Sequence, residues 1–214
     1  MIINRIQVIN TIISKYNFYN YLEIGVRFPE DCFNYINAIN KRSVDPGYEN
    51  PINPATYPFT SDDFFAKLEN GYLDLSSDFK WDVIFVDGLH LSYQVEKDIL
   101  NSLNHLSERG VIVLHDCNPF MYEDNYTRLI EDFWGQGQPW NGTVWKTIYK
   151  LKTSRPDLNI CTLDIDEGVG LIKRGNQELI PFDNPYFEYR IFQKNLQRNL
   201  NLLSPSELNN WLEK

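Results

Sequence analysis

The sequence predicts a doubly wound α/β fold: a mostly parallel, seven-stranded sheet with helices on both faces and a helical C-terminal tail. Two apolar runs are the main evidence, Trp81–Asp87 (WDVIFVD) and Gly110–Asp116 (GVIVLHD). Each run is short, rich in β-branched residues and almost continuously hydrophobic, which is typical of a strand buried on both faces of a parallel sheet. The amphipathic stretch between them is long enough for a crossover helix and completes a βαβ unit.

The other elements follow from periodicity and turn residues. Isoleucines recur every three or four residues from Ile2 to Ile13, which predicts an amphipathic helix before the first strand. The last two strands flank Asp-Glu-Gly, which predicts an antiparallel pair at the sheet edge. In all, the patterns predict strands at 21–25, 41–45, 56–60, 81–87, 110–116, 158–164 and 168–173, and helices at 2–16, 29–40, 61–70, 91–107 and 143–152.

The C-terminal segment differs from the rest of the chain. We predict an α/β domain over residues 1–175, with residues 176–214 as a helical extension of the same domain. Ser204-Pro-Ser-Glu207 is a capping box with proline at the first helical position, so a final helix should begin there. Nothing in the tail looks catalytic, and we interpret it as a packing or homodimer-forming appendage.

Composition excludes several classes of function. A chain of 214 residues suits one well-buried domain, and its net charge of −9 argues against a nucleic-acid partner. No apolar run is long enough for a membrane span, and polar residues interrupt the N-terminal isoleucines, unlike a signal peptide. The three cysteines form no CxxC pair and are expected to be reduced thiols. We therefore expect a cytoplasmic protein with a small-molecule ligand.

Four acidic residues end predicted strands: Glu23, Asp45, Asp87 and Asp116. Open α/β sheets bind ligands outside the carboxyl ends of their strands, so these acids are candidates for a binding site. The alternative interpretation is that they only anchor loop amides.

With this order of strands and acids, the chain resembles the class I S-adenosylmethionine-dependent methyltransferases, a Rossmann-like fold, over roughly residues 16–175. The resemblance implies that Glu23-Ile-Gly25 is the first turn against the methionine part of the cofactor, and that Asp45 binds the ribose hydroxyls. Asp45 follows Glu23 by 22 residues, close to the spacing of about 20 expected for a ribose acid. The implied cofactor-binding residues are Glu23, Gly25, Asp45, Ser61, Asp62 and Asp87, with Ser61-Asp62 near the adenine.

The first turn departs from the family pattern, because Gly25 is its only glycine and Pro29 stands where another glycine is common. A nicotinamide dinucleotide enzyme also carries an acid after its second strand. That class expects GxGxxG in the first turn, and this motif is absent.

Two segments, Asp87-Gly-Leu-His90 and His115-Asp116-Cys-Asn118-Pro119, resemble small-molecule O-methyltransferases of the catechol and macrolide-sugar type. The resemblance implies catalytic roles for His90, Asp116 and Asp87, with His90 as the base that accepts a hydroxyl proton. Asp87 and Asp116 would flank a divalent ion such as Mg²⁺. Cys117 stands where an amide ligand is usual, and a thiol is a poor Mg²⁺ ligand, so the metal stays an open question. The motifs also resemble uncharacterised bacterial methyltransferases from surface-glycan gene clusters.

Simpler interpretations accompany each of these residues. His90 could cap the helix after its strand, and His115 could be a structural histidine. Aromatic residues of the long segment after Cys117 could form either an acceptor wall or a small core: Phe120, Tyr122, Tyr126, Phe133, Trp134 and Trp140. Two other functions stay open, namely a non-catalytic S-adenosylmethionine- or nucleotide-binding module and an interaction protein.

Overall fold

The computed structural model describes residues 2–49, 51–119 and 140–214. The strands are β1 Asn20–Ile24, β2 Asn40–Val44, β3 Trp81–Val86, β4 Leu106–Leu114, β5 Leu158–Leu163, β6 Val169–Arg174 and β7 Leu202–Leu203. The helices are α1 Arg5–Tyr16, α2 Ser61–Glu69, α3 Ser92–His105, α4 Val144–Ser154, α5 Tyr189–Lys194, α6 Leu196–Leu200 and α7 Leu208–Glu213. None of the helices in the described ranges is both long and apolar enough to cross a membrane.

The strands form one seven-stranded sheet in the order β2-β1-β3-β4-β6-β5-β7, which confirms the predicted fold class. β1 runs parallel to both of its neighbours, with Tyr21 opposite Lys41 of β2 and Val83 of β3. β5 and β6 are antiparallel, as the turn residues predicted, and β7 is parallel to β5. The sheet is therefore mixed.

The predicted strand at 56–60 is wrong. In this stretch only Tyr57 pairs, through a single bridge to Val44 of β2. Pro54 and Pro58 flank it, and proline has no N–H to donate to a strand ladder. The seventh strand is instead β7, a two-residue strand in the tail.

The predicted helix at 29–40 is also wrong, because this segment forms two 3₁₀ turns, Pro29–Asp31 and Phe33–Tyr35. The side chain of Asn10 in α1 accepts a hydrogen bond from the Asn37 N–H and donates one to the Tyr35 carbonyl. A side chain of another element therefore uses backbone groups that a helical ladder would need. Ile39, predicted to face the sheet, is 73% exposed.

The chain divides into two compact units. The N-terminal unit comprises Arg5–Leu89 and Lys97–Val113. Its core includes one face of α1, Val8, Ile9, Ile12 and Ile13. The predicted face shares Ile9 and Ile13 with it, whereas Ile2, Ile6 and Tyr16 are only half-buried. Within this unit Asp82 of β3 ties chain segments together by accepting hydrogen bonds from the backbone N–H groups of Tyr19 and Asn20 and from the Ser107 hydroxyl.

The C-terminal unit comprises, among the described residues, 2–4, 90–96, 114–119 and 140–214. The tail packs inside this unit, since Trp145 of α4 lies 4.3 Å, centroid to centroid, from Phe192 of α5. The capping box at Ser204 and Glu207 is present and precedes α7, as predicted. Six apolar residues of the tail helices are buried: Tyr189, Phe192, Leu200, Leu208, Trp211 and Leu212.

Candidate active site

In the N-terminal unit, the turn after β1 fits tightly against the end of β3. Gly25 has a φ of +92°, and a Cβ there would lie 2.3 Å from the Asp87 carbonyl oxygen and 2.4 Å from the Gly88 Cα. The Asp87 N–H also donates to the Ile24 carbonyl at 2.8 Å. Gly25 is therefore required by the close approach of two backbone segments and by its left-handed conformation, whatever ligand binds beside it.

Glu23 is a buried acid, 2% exposed, at the end of β1. The Tyr21 hydroxyl donates to its Oε2 at 2.6 Å. The pKa of Glu23 is raised from 4.5 to about 7, mainly by burial; Asp87 also raises it, whereas the Tyr21 hydrogen bond and Arg5 lower it. Arg5 also lies 3.8 Å from the Asp87 carboxylate. Glu23 can therefore gain or lose a proton near neutral pH.

The other predicted cofactor residues have partners of their own in this unit. Asp45 follows β2, and its Oδ1 accepts from the Gly47 N–H at 2.6 Å. The Ser61 hydroxyl donates to the buried carboxylate of Asp98 at 2.6 Å, so it faces α3.

Asp62 pairs with Lys97 at 3.0 Å on the exposed side of α2. The helix begins where the sequence predicted, with Thr60 as its N-cap.

In the C-terminal unit, the structure brings His90 and Asp116 together. The His90 Nε2 lies 3.2 Å from the Asp116 Oδ2, with the two side chains 22% and 6% exposed. The other ring nitrogen, Nδ1, lies 2.8 Å from the Trp140 carbonyl oxygen, and the His90 ring stacks on Trp140. Because a carbonyl oxygen can only accept, Nδ1 carries the hydrogen. Nε2 is then the ring nitrogen that can gain or lose a proton, and it faces the carboxylate.

His115 shares the same carboxylate. Its Nδ1 lies 3.2 Å from the Asp116 Oδ2, and its Nε2 lies 3.6 Å from the Asp166 Oδ1. Asp116 itself has a φ of +60°, a conformation that costs a non-glycine residue energy and persists only when its surroundings hold it. The predicted structural role of His115 and its catalytic alternative both agree with this position.

Sequence reasoning missed Asn141, which is 3% exposed. Its Nδ2 donates to the Asp116 Oδ1 at 2.6 Å and to the Glu167 Oε2 at 3.2 Å. Asn-Gly is ordinarily a turn signal, so nothing local in the sequence marks Asn141 as a partner of a residue 25 positions earlier.

Cys117 is packed in the interior of the C-terminal unit. It is fully buried, and its N–H donates to the Gly168 carbonyl. A Cβ on Gly170 would lie only 2.6 Å from its sulfur, so the thiol packs closely against that glycine. The next residue, Asn118, carries an amide whose Nδ2 donates to Asp164 and whose buried Oδ1 has no hydrogen-bond partner among the described residues.

Five of the six aromatic residues considered for an acceptor wall lie outside the described residues: Phe120, Tyr122, Tyr126, Phe133 and Trp134. The structure therefore does not test the choice between an acceptor wall and a small core. Trp140 is described, and it contacts His90 as above.

Comparisons with known proteins agree with this fold. A family model described as a methyltransferase domain matches residues 35–117, a segment that includes Asp45, Asp87 and Asp116 but not Glu23 or Gly25. A search of curated protein sequences found no match.

Several solved structures are similar to the chain. A candidate caffeoyl-CoA O-methyltransferase from Staphylococcus aureus has 17% identity and a TM-score of 0.51, with 82% of this chain and 86% of that chain covered. A protein from Corynebacterium glutamicum has 10% identity and a TM-score of 0.53, covering 83% and 84%. A candidate O-methyltransferase from Klebsiella pneumoniae has 14% identity and a TM-score of 0.50, covering 79% of each. The chain therefore has the Rossmann-like fold of class I methyltransferases.

Proposed function

We propose that this protein is an S-adenosylmethionine-dependent methyltransferase that acts on a hydroxyl group of a small molecule, a class that includes sugars. The matched methyltransferase domain and the fold support methyl transfer. The observation that carries the choice of a hydroxyl acceptor is the protonation geometry of His90. A hydroxyl must lose its proton during transfer, and a base positioned to take it is the feature to look for.

His90 meets the requirements for that base. The hydrogen bond from Nδ1 to the Trp140 carbonyl fixes the ring orientation and makes Nε2 the nitrogen that would take up the proton. Asp116, 3.2 Å from Nε2, then stabilises the imidazolium that results. If His90 only capped the following helix, its ring would not need this second hydrogen bond to fix which nitrogen carries the hydrogen.

The proposed reaction is a direct displacement. S-adenosylmethionine supplies a methyl group on a positively charged sulfur, which is intrinsically reactive towards nucleophiles. The acceptor O–H gives its proton to His90 Nε2, its oxygen forms the new bond to the methyl carbon, and the methyl–sulfur bond breaks with its electron pair on sulfur. The chain contributes mainly by alignment and by holding the proton, and Asp116 orients the acceptor.

We assign the cofactor to Glu23, Gly25, Asp45, Ser61, Asp62 and Asp87. Glu23 would meet the cationic amino group, and Asp45 would accept from the ribose hydroxyls through Oδ2, because Oδ1 already accepts from Gly47. The Ser61 side chain is bonded to Asp98 and the Asp62 side chain to Lys97. To bind the adenine, each side chain would have to exchange this partner for the cofactor.

A divalent ion such as Mg²⁺ would be held by Asp87 and Asp116. The Asp116 carboxylate fits this role because it is buried and its Oδ1 is fixed by Asn141, the kind of supporting hydrogen bond that orients metal ligands. Such an ion would polarise the acceptor oxygen and ease loss of its proton to His90.

Titration of S-adenosylhomocysteine by calorimetry, followed by transfer of a labelled methyl group to a panel of hydroxylated acceptors, tests the proposal. Binding and turnover would support it. Binding without turnover on any acceptor would favour a non-catalytic binding module. Failure to bind would reject the cofactor assignment and favour an interaction protein.

Residues 176–214 would extend the same domain, and a homodimer would form through surfaces other than the buried tail residues. The three cysteines are all free and buried, which agrees with a protein of the cytoplasm.

A further inference from the structure

The segment Trp140–Thr143 contacts both groups of the proposed chemistry. The Trp140 carbonyl accepts from His90 Nδ1, and the Thr143 N–H donates to the His90 carbonyl at 2.7 Å. Gly142 has a φ of +60°, and a Cβ there would lie 2.1 Å from the His90 carbonyl oxygen. The segment is therefore packed directly on the base.

Asn141 extends this contact to the carboxylate. Its amide NH₂ has two hydrogens to donate, and among the described residues they meet two acceptors, the Asp116 Oδ1 at 2.6 Å and the Glu167 Oε2 at 3.2 Å. Carboxylates only accept, so the amide nitrogen and not the amide oxygen must face them, and the orientation of Asn141 is fixed.

The bond from Asn141 determines what the other oxygen of Asp116 does. With Oδ1 held by Asn141, Oδ2 is the oxygen that lies 3.2 Å from both His90 Nε2 and His115 Nδ1. Without that bond, the carboxylate of a residue in a left-handed conformation would have one fewer constraint on its rotation.

We infer that Asn141 is a positioning residue, which fixes the rotamer of Asp116 while its neighbour Trp140 fixes the ring of His90. One four-residue segment would thus set the geometry of the base and of its carboxylate together. The role of this geometry in catalysis rests on the proposed function, but the geometry itself can be tested without turnover.

The test uses Asn141→Ala, with Asn199→Ala as the matched control. Asn199 is also a buried asparagine of the C-terminal unit, 1% exposed, but its amide donates to the Phe192 carbonyl in the tail. Melting temperatures of both variants report the general cost of removing a buried amide.

The first readout is nitrogen and proton NMR of the imidazole rings, which is practical because the chain has only three histidines. Asn141→Ala should shift the ring resonances of His90 and His115 and leave those of His105, in the N-terminal unit, unchanged. Asn199→Ala should leave all three unchanged. Unshifted His90 and His115 resonances in Asn141→Ala would overturn the inference, whether or not the protein transfers methyl groups.

The second readout is steady-state turnover. Asn141→Ala should lower kcat by about 10–100-fold, the usual cost of losing such a supporting hydrogen bond, with little change in KM or in S-adenosylhomocysteine affinity. An equal loss in Asn199→Ala would show a structural effect and overturn the positioning role. A wild-type chain that binds no S-adenosylhomocysteine would reject the proposed function, while the NMR result would still decide the inference.

Discussion

Replacing the buried Glu23 with glutamine should change how the stability of the protein depends on pH. In the folded chain the pKa of Glu23 is raised to about 7, mainly by burial, against 4.5 for the unperturbed group. Glutamine has nearly the same shape, can still accept from the Tyr21 hydroxyl and does not titrate. Any difference between the two proteins that varies with pH therefore reports the ionisation of Glu23.

The sign and size of this pH dependence follow from the linkage between proton binding and folding. Because the folded state binds this proton more tightly than the unfolded state, the contribution of Glu23 to stability is fully present below pH 4.5 and is lost as the pH rises to about 7. One pKa unit is worth about 1.4 kcal/mol, so the wild type should lose about 3 kcal/mol relative to Glu23→Gln across this interval. The same ionisation should strengthen binding of S-adenosylhomocysteine, whose amino group is cationic, between pH 6 and 8 in the wild type alone.

The assay is chemical denaturation of wild type and Glu23→Gln at several pH values from 4.5 to 8, with calorimetric titration alongside. Glu30→Gln, which removes a charge from an exposed position of the same unit, is the matched control. A stability difference between wild type and Glu23→Gln that stays constant from pH 4.5 to 8 would refute the reasoning. It would mean that Glu23 is ionised over this whole pH range and that burial does not raise its pKa.

Further predictions concern both units. His90→Gln should lower turnover by at least about 100-fold, with S-adenosylhomocysteine affinity and melting temperature nearly unchanged; a variant with normal turnover would reduce His90 to a helix cap. Asp45→Ala should weaken S-adenosylhomocysteine binding by about 1.5–3 kcal/mol in calorimetry, and an unchanged affinity in a folded variant would remove Asp45 from the site. If Asp87 and Asp116 hold a divalent ion, a chelator should abolish activity and Mg²⁺ or Mn²⁺ should restore it; activity indifferent to the chelator would leave both acids as orienting groups. Gly25→Ala should lower the free energy of unfolding by at least about 1–3 kcal/mol, measured by denaturation, because its Cβ would collide with the backbone at the end of β3.

Much of the fold could be predicted because its central strands are continuous apolar runs that end in recognisable turns. Residues 81–87 and 110–116 correspond to β3 and to the second half of β4 plus the turn after it. The error at 56–60 has a local cause in the flanking prolines, whereas at 29–40 a local pattern was overridden from a distance. There the side chain of Asn10 in α1 forms hydrogen bonds with the backbone of Tyr35 and Asn37. The sequence of residues 29–40 alone cannot reveal a contact with a side chain of another element.

The site was predictable in part for a related reason. Positions at strand ends are set by the strands, so Asp87 and Asp116 could be assigned from the sequence to the turns that follow β3 and β4. Ser61 shows the limit, because its position at the start of α2 was correct while its hydroxyl faces Asp98. The contacts of His90 with Trp140 join residues 50 positions apart, and no periodicity can encode a pairing of that length.

The first turn has one glycine where the family pattern has more, and the packing of the backbone around the turn explains why one is enough. A glycine is needed only where a Cβ would meet backbone, and in this turn that position is Gly25, beside the Asp87 carbonyl. The next residue, Val26, is 2% exposed and uses its side chain in the core, so a glycine there would forfeit buried apolar contacts. Pro29 opens a 3₁₀ turn, where a fixed φ and a missing N–H cost little. The departure therefore does not weaken the case for a class I methyltransferase turn, because the one position at which the backbone demands glycine has it.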